Sequence, residues 1–246
     1  MGPEILKLEN VTSGYDPDLP VIRSISLELY QGSIVAVVGA NGAGKSTLLK
    51  TIYGFLKPFT GKIIYQGRDI TSSDPHEVKR MGIAYIPQDL SAFGDMTVEE
   101  NLKMGLWLKR ESIKERLEWA YELFPNLGKK RRLKASSLSG GEMKMLDISR
   151  GLMIKPKLLL IDEPSVGLSP IMAEEVYMAI QRINKEDEVT ILLVDQNVKR
   201  AIEISDHTFY MENGEIKYSA SSDKIALVVD KIIEASLIGD LIKMGE

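Results

Sequence analysis

The chain has no cysteine, which excludes disulfides and thiolate metal sites and fits a reducing compartment. It carries two histidines, His76 and His207. The first stands in a polar stretch and reads as solvated, and the second opens a hairpin and reads as structural. Charge of one sign is not in excess: the net charge is −4, which gives no reason to expect a nucleic-acid partner. Long apolar runs are also missing. IVAVV at 34–38 and ILLV at 191–194 fall far below the ~20 residues of a membrane helix, so the chain is not expected to span a membrane by itself. The opening MGPEILKLEN has no basic stretch followed by an apolar one, so no secretory signal is expected. No internal repeat and no low-complexity segment is visible. What is present is ordinary for a soluble globular protein: 246 residues, 44% apolar and 27% charged, enough for one large domain or two small ones with a substantial core.

Residues 4–30 and 60–70 alternate or read β-rich, punctuated by Gly14, Gly61 and Gly67; the expectation is an antiparallel sheet near the N-terminus. IVAVVG at 34–39, LLLID at 158–162 and TILLVD at 190–195 are short apolar runs that need burial on both faces, as in a parallel sheet. Helices are expected after each, at 45–55, 170–184 and 198–204, with Ser169 as N-cap and Pro170 at the first helical position. Strands alternating with helices predict an α/β fold. Residues 92–154 carry no buried strand run. Thr97-x-x-Glu100 and Ser112-x-x-Glu115 have capping-box spacing, so a helical subdomain inserted in the α/β core is expected there. HTFYMENGEIKYSA at 207–220 reads as a hairpin turning at Asn213-Gly214, and 222–246 as a C-terminal helical segment. The expected organisation is one domain over 1–246, with 4–91 and 155–221 as core and antiparallel β subdomain and 92–154 as the helical insert.

Residues 39–47, GANGAGKST, match the phosphate-binding loop pattern and follow a strand, the context that the pattern requires. Gly39, Gly42 and Gly44 open backbone conformations closed to other residues. The loop N–H groups, from Gly39, Ala40, Asn41, Gly42, Ala43 and Gly44 into Lys45, can then surround a β-phosphate at a helix N-terminus. Lys45 neutralises β and γ oxygens, Ser46 is placed for Mg²⁺ and Thr47 for the α-phosphate. Asp162 ends an apolar strand at the sheet edge where α/β ligands sit and can hold Mg²⁺, directly or through water. Glu163 can polarise an attacking water. The alternative for the two acids is a strand ending in solvated carboxylates. These motifs point to a nucleoside triphosphate with Mg²⁺, and to its hydrolysis.

Ser139-Gly140-Gly141-Glu142 also has capping-box spacing, so an ordinary helix cap is the plain alternative. Two glycines in a first turn cost roughly 1 kcal/mol each against Ala, and a cap alone does not require them. They make sense if a phosphate must approach the backbone. Since the phosphate loop already surrounds its own nucleotide, another subunit is the expected donor of that phosphate.

At this point the chain resembles the ATP-binding cassette (ABC) ATPases, over essentially its full length. LSGGE at 138–142 is similar to their signature. The resemblance implies that the nucleotide is ATP and that Tyr15 stacks on adenine, with core packing as the alternative. It implies that Gln88 contacts Mg²⁺ and senses the γ-phosphate, with a surface loop residue as the alternative. It implies that 165–170, SVGLSP, meets an opposite subunit. It further implies a head-to-tail dimer, with itself or a homologous ATPase, in which each ATP lies between one phosphate loop and the other signature. One departure concerns the position where most of the family has a histidine that contacts the γ-phosphate. Here Gln196 stands there; it can donate a hydrogen bond but cannot be a cation or accept a proton. The expectation is that Glu163 carries the general-base work alone and Gln196 positions.

RDITSSDPHEVKRMGIAYIPQ, MTVEENL and LLVDQN are similar to ATPases of branched-chain amino-acid importers. Pro87-Gln88-Asp89-Leu90, and Met143-Lys144 in place of the usual glutamine pair, depart from that branch. Lipopolysaccharide-export ATPases are a neighbouring resemblance, although a histidine would be expected at 196. The implied partners are transmembrane permease subunits, and the implied location is cytoplasmic, peripheral on the membrane's inner face. The basic run KKRRLK at 129–134 reads as a solvated helical face rather than a nucleic-acid patch. Phe93, Met96, Met104 and Trp107 are candidates to line the groove that the family offers to a permease helix, or are core. Two rivals stand beside the transporter reading: a soluble ABC ATPase of repair or translation, and a non-hydrolysing ATP-gated clamp. The missing coiled-coil insert and second cassette argue against the first, and Glu163 against the second.

Overall fold

A computed structural model describes residues 2–106 and 113–225. Trp107, Ser112 and the expected helix over 226–246 lie outside the described residues; before that point Ser222–Ile225 forms a helical turn. In chain order the elements are β1 (Glu4–Ser13), β2 (Ile22–Tyr30), β3 (Ile34–Val38), α1 (Lys45–Ile52), β4 (Thr60–Tyr65), β5 (Arg68–Asp69), α2 (Pro75–Arg80) and β6 (Ile83–Ile86). There follow α3 (Val98–Gly105), α4 (Ile113–Leu123), α5 (Pro125–Lys129), α6 (Gly140–Leu152), β7 (Leu158–Asp162), α7 (Pro170–Asp187), β8 (Thr190–Asp195), α8 (Val198–Ile204), β9 (His207–Glu212) and β10 (Glu215–Ser221).

The strands form two sheets, one in the order β2-β1-β4-β5 and one in the order β10-β9-β3-β8-β7-β6. The first is antiparallel throughout. In the second, β9, β3, β8, β7 and β6 run parallel and only β10 is antiparallel. Every residue of β3, β7 and β8 is buried, because both faces of the large sheet are covered. Successive strand residues point to opposite faces. Val35, Val37, Leu158, Leu160, Leu192 and Val194 pack with the antiparallel sheet and with Leu48, Leu49 and Ile52 of α1. Their neighbours Ile34, Ala36, Val38, Leu159, Ile161, Ile191 and Leu193 pack with the helices of 98–154 and with α7 and α8. The large sheet is therefore the middle layer of an α/β fold, and its parallel strands all end on one edge.

The helix starts follow their caps. Thr97 and Ser139 each accept from the N–H three residues on and receive the reciprocal Glu carboxylate. Ser169 accepts from the Met172 N–H with Pro170 behind it. A third capping box, Asp74 with Glu77, starts α2. The hairpin turns at Asn213 (φ 50°) and Gly214 (φ 81°), as a two-residue loop with both residues at positive φ requires. The Gly214 N–H donates to Ala43 O at 2.9 Å, so this turn braces the loop after β3.

Candidate functional site

β3, β7 and β8 bring three pieces of chain to one edge: the glycine loop after Val38, the pair Asp162-Glu163, and Asp195. Gly44 caps α1 with φ 106° and no side-chain cap, a left-handed conformation that disfavours a Cβ. At Gly39 a Cβ would stand 2.1 Å from Met211 O, so the loop enters against the β9 backbone where no side chain fits. The first-turn N–H groups of α1 are left to face outward, where an anion is favoured.

Lys45 is buried, and its ammonium donates to Gly39 O (2.8 Å) and Ala40 O (3.1 Å). Glu163 Oε1 lies 3.4 Å from the same Nζ. Glu163 reaches that place because its backbone is left-handed, φ 42°, an unusual conformation for a residue with a Cβ; its N–H is held by Val194 O at 2.9 Å. Ser46 Oγ donates to Asp162 Oδ1 at 2.9 Å, and Tyr85 Oη donates to Asp162 Oδ2 at 3.1 Å. Burial pushes both carboxyls above their usual range, with the Ser46 and Tyr85 hydrogen bonds opposing this at Asp162 and the Lys45 charge opposing it at Glu163. A hydroxyl beside one buried carboxylate suits Mg²⁺, which takes hard oxygen ligands and is usually held by one or two carboxylates plus phosphate oxygens.

Thus Gly39, Ala40, Lys45, Ser46, Asp162 and Glu163 form one bonded cluster. The other expected residues stand apart from it. Tyr15 is 66% exposed, which rules out core packing; Lys50 donates to its hydroxyl at 3.2 Å, with Nζ 5.8 Å from the ring centroid. Gln88 and Gln196 are exposed. Ser139 caps α6, and the Glu142 carboxylate is held by the Ser139 N–H (3.0 Å) and by Lys130 (2.7 Å). The two signature glycines differ. A Cβ at Gly140 would meet nothing within 4 Å, whereas one at Gly141 would stand 2.4 Å from Met172 Cε and 3.1 Å from its Cβ. Gly141 is therefore accounted for by packing of α6 on α7, whereas no neighbour among the described residues accounts for Gly140.

Two groups near the site have contacts that the sequence does not reveal. Asp195 is fully buried and accepts from the Asn197 N–H (2.9 Å) and from Tyr177 Oη (2.7 Å). Tyr177 Oη is also 2.9 Å from Ser165 Oγ, so one network holds the segment with Gln196 against the segment 165–170. The other is Tyr85, whose ring lies among Tyr53 and Phe55 at centroid distances of 5.5 and 5.8 Å. Its spacing from Asp162, strand-to-strand in a parallel pair, carries no local signal.

Phe93 and Met104 line a cavity of about 350 Å³ with Tyr53, Tyr85, Lys79 and Arg150. Met96 does not line it: its carbonyl instead accepts from Ala135 N at 2.8 Å. The basic run is an outer face but not the helical one expected. α5 ends at Lys129, and 130–134 turn back toward the start of α3, with Leu133 N donating to Lys130 O (2.8 Å) and Val98 N to Leu133 O (3.0 Å). Lys130 lies on Glu142 and Lys134 3.8 Å from Asp95.

Residues 22–166 match the ABC transporter family. The chain is 38% identical over 222 residues to a probable branched-chain amino acid transport ATP-binding protein, LivF of Archaeoglobus fulgidus, covering 90% of this chain and 94% of the relative. It is 32% identical over 239 residues to the lipopolysaccharide export system ATP-binding protein LptB of Acidithiobacillus ferridurans, covering 96% and 98%. The fold superposes with TM-score 0.83 on MJ1267, an ATP-binding cassette of an ABC transporter in its ADP conformation, at 30% identity and covering 95% and 98%.

Proposed function

The chain belongs to the ABC transporter family of ATPases, and from that premise we propose that it powers a branched-chain amino-acid importer from the cytoplasmic face of the membrane. It binds and hydrolyses ATP. The observation that carries the reading is the bonded cluster itself: the loop hydroxyl of Ser46 on Asp162, and the loop ammonium of Lys45 beside Glu163.

In this reading the N–H groups of 39–47 and Lys45 hold the phosphates, and Lys45 leaves the Gly39 and Ala40 carbonyls to do so. Ser46 and Asp162, with Gln88, would hold Mg²⁺. When bound, that ion would neutralise charge on the β and γ oxygens. Glu163 accepts the proton of the attacking water. Gln196 donates to a γ-oxygen, and Tyr15 lies against adenine. Ser139 and Gly140 face the ATP of a second subunit, its own or a homologue, in a head-to-tail dimer. The chain acts as one domain with a helical insert at 92–154. Among the described residues no helix is long and apolar enough to cross a membrane; the proposed partners are transmembrane permease subunits. The 350 Å³ cavity with Phe93 and Met104 on its rim is our candidate for their docking.

The likeness to LivF favours an importer, and Gln196 in place of a histidine favours it over lipopolysaccharide export. Two measurements test the reading. Phosphate release should be Mg²⁺-dependent in the wild type and absent in Glu163→Gln. A pull-down from native membranes with tagged Glu163→Gln and ATP should recover two polytopic permeases and a second ATPase. Recovery of lipopolysaccharide-export components, or of soluble partners alone, would refute the importer assignment.

A further inference from the structure

The segment after β6 is fastened to the signature helix by two charged residues that the sequence reading assigned no role. Lys144 on α6 is buried, and its ammonium donates to Pro87 O (2.7 Å) and Gln88 O (3.0 Å). Asp147, one turn on and also buried, accepts from Ser91 N (2.8 Å) and Ser91 Oγ (2.9 Å) and from Arg150 at 3.0 Å. Arg150 in turn donates to Ser91 O at 2.8 Å. Beyond them Asn101 of α3 exchanges two hydrogen bonds with the Phe93 backbone, at 2.8 and 3.0 Å. The backbone is thus held at 87–88, 91 and 93, while Gln88, Asp89 and Leu90 remain exposed.

A cation buried against two carbonyls is a poor stabilising device. An apolar side chain of similar volume usually does as well or better, and buried charge is best attested where it specifies a geometry. What Lys144 specifies is the direction of the Pro87 and Gln88 carbonyls, and hence where the Gln88 side chain leaves the backbone. Lys144 is also one of the two residues at which this chain departs from the family's glutamine pair.

We propose that Lys144 and Asp147 are positioning residues that lock the Gln88 segment to α6, so that movement of the helix capped by Ser139 carries Gln88 with it. What Lys144 and Asp147 add is the rigidity of this link: without them the Ser139 end of α6 and the Gln88 contact move independently, and the relay from the opposite subunit's ATP to this subunit's γ-phosphate contact weakens. The relay rests on the head-to-tail reading proposed above.

The test uses the full chain with Lys144→Met, which keeps the stem and removes the ammonium, and Asp147→Asn. Four quantities are read: melting temperature, ATP affinity in a Glu163→Gln background, kcat, and the steepness of rate against ATP concentration. The expected result is unchanged melting and ATP affinity, with kcat lower by about tenfold to a hundredfold, the scale of a misplaced group, and a flattened ATP dependence. Unchanged kcat and steepness, or losses that only track a lower melting temperature, would overturn the proposal. If the wild type forms no ATP-dependent dimer and shows no steepness, the head-to-tail reading fails; an undiminished kcat in Lys144→Met then still removes the positioning role.

Discussion

Lys45 Nζ and Glu163 Oε1 stand 3.4 Å apart, with side chains 3% and 8% exposed. The proposed phosphate-binding cation and the proposed base neutralise each other in one buried pair, 118 residues apart in sequence. A phosphate that draws Lys45 away leaves the carboxylate free to accept a proton.

Glu163→Gln should therefore separate binding from chemistry. The variant is expected to bind ATP as the wild type does while hydrolysis falls by about 10²- to 10⁴-fold, the range for losing a general base. Single-turnover hydrolysis beside equilibrium binding checks this. Hydrolysis at the wild-type rate would remove Glu163 from that role.

The same group sets a pH dependence. Burial raises the Glu163 carboxyl, with Lys45 opposing and Asp162 and Asp195 adding to the rise. A carboxyl raised in the folded state favours folding below its unfolded value, and that contribution is lost as pH rises through the folded value. Glu163→Gln should then melt higher than the wild type at neutral pH, with the gap closing as pH falls through the raised value. The wild-type rate should rise over the same interval, because only the ionised carboxylate accepts a proton. A variant that melts lower at neutral pH would show that Lys45 attraction outweighs burial.

Ser46→Ala removes the donor to Asp162 and a candidate Mg²⁺ oxygen. Losing a hydroxyl that orients a metal-holding carboxylate costs about tenfold to a hundredfold in metal affinity, so the Mg²⁺ needed for half-maximal binding of an ATP analogue should rise by about that factor. Calorimetric titration at several Mg²⁺ concentrations reads this directly; an unshifted requirement would detach Ser46 from the ion.

The two signature glycines should part company. Gly141→Ala forces a Cβ against Met172 and is expected to destabilise by about 1–3 kcal/mol, as overpacking does. Gly140→Ala meets open space and should fold at least as well, gaining up to roughly 1 kcal/mol of helix propensity, yet lose ATP-dependent dimerisation. Denaturant melts and size-exclusion in ATP distinguish them. Dimerisation retained in Gly140→Ala would leave that glycine without a reason.

Gln196→Ala should slow hydrolysis only a few-fold. The exposed amide offers one neutral hydrogen bond, about 0.5–1.5 kcal/mol, and no proton transfer. Turnover equal to the wild type would sink its positioning role, and complete loss would make it more than a positioner.

Local patterns were legible without coordinates. The glycine loop, the strand ends at Asp162 and Asp195, the caps at Thr97, Ser139 and Ser169 and the turn at Asn213-Gly214 are each set by residues within a few positions of one another. Short-range sterics and hydrogen bonding determine them, so the α/β class and the phosphate-binding chemistry follow from the chain read as a string. What the tertiary structure alone decided are the meetings across the sheet: Tyr85 on Asp162, Tyr177 on Asp195, Lys144 and Asp147 on the Gln88 segment, Met172 against Gly141. Each depends on the strand order and on which helix packs where, and neither is carried by any local window, because the interactions that choose them are summed over the whole core. The left-handed turn that aims Glu163 at Lys45 belongs to the same class. A glutamate has no intrinsic preference for φ 42°, and the fold holds it there through the Val194 carbonyl on the neighbouring strand.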